Sequence, residues 1–254
     1  MTDIKSRLKN GENIFGTMIN IVDHPDIVKI FKSCGFDYFI VDCEHGCMSY
    51  DKVSALVGLA KEMDIAALVR IPKADRESIL RYMEMGADGL MLPNTDTADQ
   101  ARELVRYAKY APIGERGISM MRGHNRYIPV ESPVDYMREA NENTILIVQI
   151  ESSVSISNIE EILSVEGIDI AFMGPSDLCQ SLGILGHLDS PIYVEAVEKV
   201  IAASQKLGKA CGTQGMNPEA LQIWVDKGMR FNLYSNEVSM LMREGKTAMK
   251  ILKK

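Results

Sequence analysis

The sequence predicts an α/β protein, a single-domain (β/α)8 barrel of the TIM type. Three observations predict it. Short apolar runs recur eight times, near 14–21, 37–42, 66–71, 89–93, 145–150, 168–173, 209–213 and 230–234. They are rich in Ile, Val, Leu, Phe and Met without clean alternation, the pattern of parallel strands covered on both faces. Helix-period segments separate them, and 254 residues is a usual length for eight such units in one domain.

The elements follow in order. In "CGFDYFIVD", "MGADGLMLPN", "EGIDIAFMG", "LGKACGTQG" and "KGMRFNLYS" a glycine sits just before the apolar run. Glycine is the expected left-handed residue past a helix C-terminus. Helix starts are equally marked. Ser49 precedes Val53, Leu56, Val57, Ala60 and Met63, which share one face. Thr97 and Gln100 have capping-box spacing. Ser190-Pro191 and Asn217-Pro218 each place a capping residue before a proline at the first helical position. Strand alternating with helix implies right-handed crossovers and a parallel sheet. No GxGxxG follows the first run, which counts against an open dinucleotide-binding sheet. The rhythm breaks at 112–143, a long insertion between the fourth and fifth strands, and the chain ends in a helix at about 237–252.

Composition narrows the partners. A net charge of −7 opposes nucleic acid or an anionic membrane as the main partner, since both need a basic face. The five cysteines are scattered without a C-x-x-C pair, as expected of reduced thiols in a cytoplasm. "MTDIKSRLKNG" has no apolar h-region, so no secretory signal is expected, and no run is long enough to span a membrane.

In a barrel, chemistry belongs at the C-terminal ends of the strands, and the polar signal falls there. The second strand ends in Asp42, Glu44 and His45, and the third in Arg70. The fifth ends in Gln149 and Glu151, two apart and therefore on one face. The sixth runs into "GPSD", with Asp177. Each has a structural reading when taken singly. Arg70 would make an inter-unit salt bridge, His45 would be a turn histidine, and Asp177 would cap "LCQSLG". Glu151 would accept from a neighbouring backbone amide, and a buried Gln149 needs partners in any case. Convergence at one end of several strands favours a site.

That combination has a chemical sense. Glu151 and Asp177 are hard oxygen ligands suited to Mg2+ or Mn2+. They leave positions open for water and a chelating 2-oxo acid, whose enolate the ion would stabilise. Arg70 adds a fixed positive charge at a developing oxyanion. His45, oriented by Asp42, would move a hydroxyl proton. The competing strategy is a Schiff-base lysine at a strand's C-terminal end. Lys73 lies beyond "RIP" in a polar helix start, and Lys209 begins the seventh strand at the wrong end, so neither is placed for it.

Together "FDYFIVDCEHG", "LVRIP", "GADGLMLPNTDTADQARELVRYAKYAPIGERG", "VQIES", "VEGIDIAFMGPSDLCQSLG" and "LGKACG" resemble the HpcH/HpaI aldolase family of class II pyruvate aldolases. The similarity covers roughly residues 10–235, and motifs in this order are specific. The resemblance implies cleavage of a 4-hydroxy-2-oxo acid, such as a 2-dehydro-3-deoxy sugar acid, to pyruvate and an aldehyde. It implies a divalent ion (Mg2+ or Mn2+, with Co2+ a further candidate) on Glu151 and Asp177, and no nucleotide. It implies pyruvate and oxyanion contacts from Arg70 and Gln149, and backbone amides from Gly174, Pro175 and Ser176 for the pyruvate carboxylate. His45 with Asp42 would be the proton-transfer dyad. It also implies a homo-hexamer, a dimer of trimers, in which "EVSMLMREGKTAMKIL" is the candidate for a helix exchanged between subunits.

The insertion departs from that family. Where relatives carry small residues after "GERG", this chain has "ISMMRGHNRYIPV". Either this is a mobile solvated loop, or Arg122 or Arg126 meets an anionic group on the aldehyde half. Two rivals use the same scaffold. A CoA-ester lyase of the citryl or malyl type would need a basic groove, and none is visible beyond 116–126. A non-catalytic sugar-acid-binding barrel would leave the filled catalytic positions without a purpose.

Overall fold

The eight runs form strands β1 (Ile14–Ile19), β2 (Tyr38–Asp42), β3 (Ala66–Arg70), β4 (Gly89–Leu92), β5 (Ile145–Ile150), β6 (Ile170–Met173), β7 (Ala210–Gly215) and β8 (Phe231–Asn236). They pair in parallel and in chain order, and β8 returns to β1, so the sheet is a closed barrel. The computed structural model describes residues 3–254; residues 1 and 2, where the predicted domain begins, lie outside the described part. A short helix α1 (Ile4–Lys9) precedes the barrel. Around it run α2 (Asp26–Ser33), α3 (Tyr50–Met63), α4 (Arg76–Met85), α5 (Ala98–Ala108) and α6 (Pro133–Asn143). Then come α7 (Ser153–Ser157), α8 (Ile159–Leu163), α9 (Pro175–Ser181), α10 (Pro191–Lys206), α11 (Pro218–Asp226) and α12 (Glu237–Leu252). No described helix is long and apolar enough to cross a membrane.

The local signals act as their chemistry requires. Gly35, Gly86, Gly167, Gly208 and Gly228 all have positive φ, the conformation that turns the chain out of a helix toward the next strand. Thr97 and Gln100 form the expected capping box at α5, and Asn217 caps α11 ahead of Pro218. Ser190 precedes Pro191 but makes no side-chain cap. β1 stops two residues before its apolar run does. The N–H groups of Asn20, Ile21 and Val22 leave the ladder for one oxygen of Glu237, at 2.8, 2.7 and 3.1 Å.

Strand periodicity divides the core in two. Alternate residues Tyr38 and Ile40, Ala66 and Leu68, Ile145 and Ile147, and Phe231 and Leu233 fill the barrel interior. The residues between them, such as Phe39, Val41, Val69 and Val148, pack against the helices. Tyr38 stacks on Phe231 inside the barrel with centroids 4.1 Å apart. It fits because position 16 is glycine: a Cβ there would overlap the Tyr38 ring. The interior row continues upward at the same period of two. Asp42, Arg70, Gln149 and Glu151 are therefore the next inward positions at the C-terminal mouth.

The insertion does not reach that mouth within the protomer. Its 3-10 turn Gly123–Asn125 packs on α4. Glu84, in the last turn of α4, gathers Arg116 at 3.1 Å, the His124 ring at 3.7 Å and Arg122 at 4.0 Å. Arg126 donates to the Lys61 carbonyl at 3.0 Å and lies 3.5 Å from Glu62, at the end of α3. Helices α3 and α4 end where the next strands begin, so these arginines sit at the N-terminal end of the barrel. The segment is solvated, with Arg122 and Arg126 each more than half exposed, and within this protomer neither arginine contacts the C-terminal mouth. Buried Arg116 against half-buried Glu84 ties the segment down.

Candidate active site

Arg70 and Asp42 are neighbours in the β2–β3 register. Both point into the mouth, and the guanidinium grips the carboxylate with two bonds, Nε to Oδ1 at 2.9 Å and Nη2 to Oδ2 at 2.7 Å. Asp42 is 1 % exposed and Arg70 8 %. The other guanidinium nitrogen lies 3.2 Å from Glu44. Burial opposes charge on Arg70, but bonding to Asp42 and the fields of Glu44 and Glu151 outweigh it and hold the guanidinium's affinity for its proton above the ordinary value.

This pairing corrects the expected Asp42–His45 arrangement. The Asp42 carboxylate receives the Arg70 fork and the backbone N–H groups of Glu44 and His45. The His45 ring turns outward, two-thirds exposed, with Nε2 3.8 Å from Glu44 Oε2. The reason is register: Arg70 is the inward neighbour of Asp42, whereas His45 lies three residues on, past the strand end.

Glu151 continues the inward row of β5. One oxygen accepts the Asn94 backbone N–H at 2.7 Å, and the other takes the Gln149 side-chain amide in a short bond. Burial raises the pKa of Glu151, these two donors lower it, and the negative fields of Asp177 and Glu44 raise it further. Glu44 is raised likewise, first by burial, with Arg70 and His45 opposing and Asp42 and Asp177 adding. Asp177 stands exposed in the first turn of α9, directly after β6, the registered neighbour of β5. Glu151 and Asp177 therefore share one mouth and one field.

Three carboxylates that sense one another, with a fourth consumed by Arg70, form an anionic pocket short of positive charge. A divalent cation fits that need and the oxygen-only donors. Among the described residues no three His, Cys, Asp or Glu side chains gather as ligands. An ion would rest on Glu151 and Asp177 and take its other ligands from water and substrate. Room for it is set by Gly174, where a Cβ would collide with Glu151 Oε2 and Cβ and come within 3.0 Å of Gln149 Nε2. The backbone at Gly174 has φ −95°, which any residue adopts, so the constraint is space alone. Gly174→Ala is expected to weaken Mn2+ binding about ten- to hundredfold by displacing the Glu151 carboxylate, and to cost about 1–3 kcal/mol of stability through overpacking. Mn2+ titration of the purified variant checks it.

The Gly174-Pro175-Ser176 stretch is less generous than expected. Gly174 N–H is spent on the Ile150 carbonyl at 3.2 Å, and proline has no N–H. Of the three, only Ser176 can offer an amide from the open first turn of α9. Gln149 keeps its carbonyl oxygen buried without a partner, beside Glu151.

The structure adds two contributors. Glu44, at the end of the second strand, braces Arg70, and Asn94, which follows β4, donates its backbone N–H to Glu151.

A family model described as HpcH/HpaI aldolase/citrate lyase matches residues 20–241. The chain belongs to that family. It is accordingly a lyase of the aldolase kind. The hydroxypyruvate/pyruvate aldolase of Roseobacter denitrificans is 31 % identical over 97 % of this chain and 95 % of its own. A 4-hydroxy-2-oxovalerate aldolase of Novosphingobium aromaticivorans is 32 % identical over 91 % and 87 %. The crystal structure of an HpcH/HpaI aldolase from Desulfitobacterium hafniense superposes with a TM-score of 0.95 at 36 % identity, covering 99 % of this chain and 96 % of that one.

Proposed function

We propose that this HpcH/HpaI family member is a class II aldolase that cleaves a 4-hydroxy-2-oxo acid to pyruvate, or a close 2-oxo acid, and an aldehyde. The observation that carries the reading is the buried Glu151 carboxylate, backed by Gln149 and facing Arg70 and Asp177 across one mouth. The names of the two aldolase relatives support it.

A divalent ion, Mg2+, Mn2+ or Co2+, held by Glu151 and Asp177 would supply Lewis-acid charge to the enolate oxygen of the 2-oxo acid. The residues do the rest. Arg70, fixed by Asp42 and Glu44, holds a positive charge over the position of the developing oxyanion without reorganising. The Gln149 amide fixes one Glu151 oxygen. Ser176 N–H binds the 2-oxo acid carboxylate. His45 Nε2, exposed beside Glu44, would turn inward on substrate binding to take the proton of the 4-hydroxyl during cleavage and return it during condensation, with Glu44 at 3.8 Å balancing the imidazolium.

The expected result is pyruvate release from a 4-hydroxy-2-oxo acid that disappears in excess EDTA and returns on adding Mg2+, Mn2+ or Co2+. Turnover that survives full chelation, or that borohydride traps, would overturn the metal-assisted reading. A CoA-ester lyase would instead show saturation by CoA thioesters without turnover of free acids. Nothing at this mouth favours it, because the 116–126 cations serve Glu84, Glu62 and the Lys61 carbonyl at the other end.

The same reading includes a homo-oligomer with α12 exchanged between subunits. Leu241, Met242, Met249, Ile251 and Leu252 are all exposed on that helix, an apolar surface that association would cover. A light-scattering mass near that of a hexamer supports it; a monomer at micromolar concentration refutes it. Five unbridged cysteines support a reducing, cytoplasmic location.

A further inference from the structure

Between the two halves of the mouth stands one residue from a strand that supplies no other polar group to the site. Asn94 follows β4 with φ +48°, in the left-handed region that asparagine tolerates better than other residues carrying a side chain. Its backbone N–H donates to Glu151 at 2.7 Å, and its side-chain amide donates to Glu44 at 3.3 Å. The contacts thus run Asp42–Arg70–Glu44–Asn94–Glu151–Gln149, from β2 to β5.

The turn that holds Asn94 is over-determined. Its carbonyl accepts from Gln100 Nε2 at 3.2 Å, and Gln100 is the N3 member of the α5 capping box. Thr95 N–H bonds the Gln149 carbonyl at 3.2 Å, and Thr95 Oγ1 bonds the Leu92 carbonyl at 3.0 Å. A positive φ at a residue with a Cβ persists only where surroundings insist on it. Here the capping box and β5 both insist, and the outcome is one residue with a donor on each acid. Asn94 is itself exposed, so it does not fill the core.

We propose that Asn94 is a positioning residue of the aldolase site that sets Glu44 relative to Glu151. Its backbone orients the carboxylate that would hold the cation, and its amide orients the carboxylate that braces Arg70 and His45. The inference rests on the aldolase reading. It also separates two functions of one residue. Backbone conformation governs cation binding, and the side-chain amide governs turnover.

Three variants divide these functions, with Mn2+ affinity read by the paramagnetic resonance of free Mn2+ in the absence of substrate. Asn94→Gly keeps the N–H and accepts positive φ, so Mn2+ affinity stays within about twofold of wild type while kcat falls about fivefold. Asn94→Ala adds backbone strain, so Mn2+ affinity drops about fivefold below that of the Gly variant. Asn94→Asp keeps the shape but sets a carboxylate against Glu44, so kcat falls about thirtyfold with KM nearly unchanged. Unchanged melting curves for the Gly and Asp variants exclude simple unfolding. Wild-type kcat in both the Gly and Asp variants would overturn the side-chain role. Equal Mn2+ affinity in the Ala and Gly variants would overturn the backbone role. Wild-type protein that neither binds Mn2+ nor releases pyruvate would sink the aldolase reading and this inference together.

Discussion

Glu151→Gln is expected to lower pyruvate release by at least about a thousandfold, the loss of roughly 4 kcal/mol of charge stabilisation at the reacting oxygen. The amide still accepts from Asn94 N–H, so the fold should persist. Direct Mn2+ titration and kcat measurement check both points, and a variant with near wild-type turnover would remove Glu151 from the chemistry. The same substitution has a stability signature whose sign is fixed. The folded-state pKa of Glu151 is raised, first by burial. Between the unfolded value near 4.5 and the folded one, the native state holds more protons than the unfolded chain. The wild-type carboxylate therefore loses stability as pH rises through that window and stays penalised above it. In EDTA, Glu151→Gln should gain on wild type in melting temperature as pH rises above the unfolded value near 4.5. Adding Mn2+ should restore the advantage to wild type by mass action.

Arg70→Met should be costly twice over. It strands Asp42, 1 % exposed, without the guanidinium that takes both its oxygens. Breaking a buried pair from one side costs about 3–5 kcal/mol. It also removes the fixed charge at the oxyanion, worth about 10²–10³ in kcat. The paired variant Arg70→Met/Asp42→Leu separates the two. Urea unfolding should recover most of the lost stability, because no buried charge is left alone, while kcat stays low. Recovery of both would make Arg70 purely structural; recovery of neither would mean that Glu44, or Met18, whose Sδ lies 4.0 Å from Arg70 Nη2, depends on it for packing.

The outcomes for individual residues show where sequence reasoning holds. The barrel was legible because its causes are local: apolar runs too even to be half-exposed, glycines that end helices, and caps such as Thr97–Gln100. Strand-end periodicity then carried Asp42, Arg70, Gln149 and Glu151 to one mouth. Partner choice within that mouth was not legible. Asp42 pairs with Arg70 and not with the His45 ring, because register between β2 and β3 decides it and spacing along one strand does not. Gly174 spends its N–H on β5, a bond no motif displays. Arg122 and Arg126 sit near loop motifs in the chain yet fold toward the C-terminal ends of α3 and α4.

Asn94 and Lys109 mark the same boundary from the other side. Lys109 directly follows the amphipathic helix α5. In the fold it is buried, donating to the Asn141 and Thr144 carbonyls at 2.6 and 2.7 Å. Hydrophobic period and capping chemistry act between residues a few positions apart, so the order of letters alone settled the architecture and the end of the barrel that bears acid and base. Which polar group meets which depends on contacts between distant segments, 57 positions apart from Asn94 to Glu151 and 217 from Asn20 to Glu237. Closing the barrel determines those distances, and until it closes no local pattern encodes them.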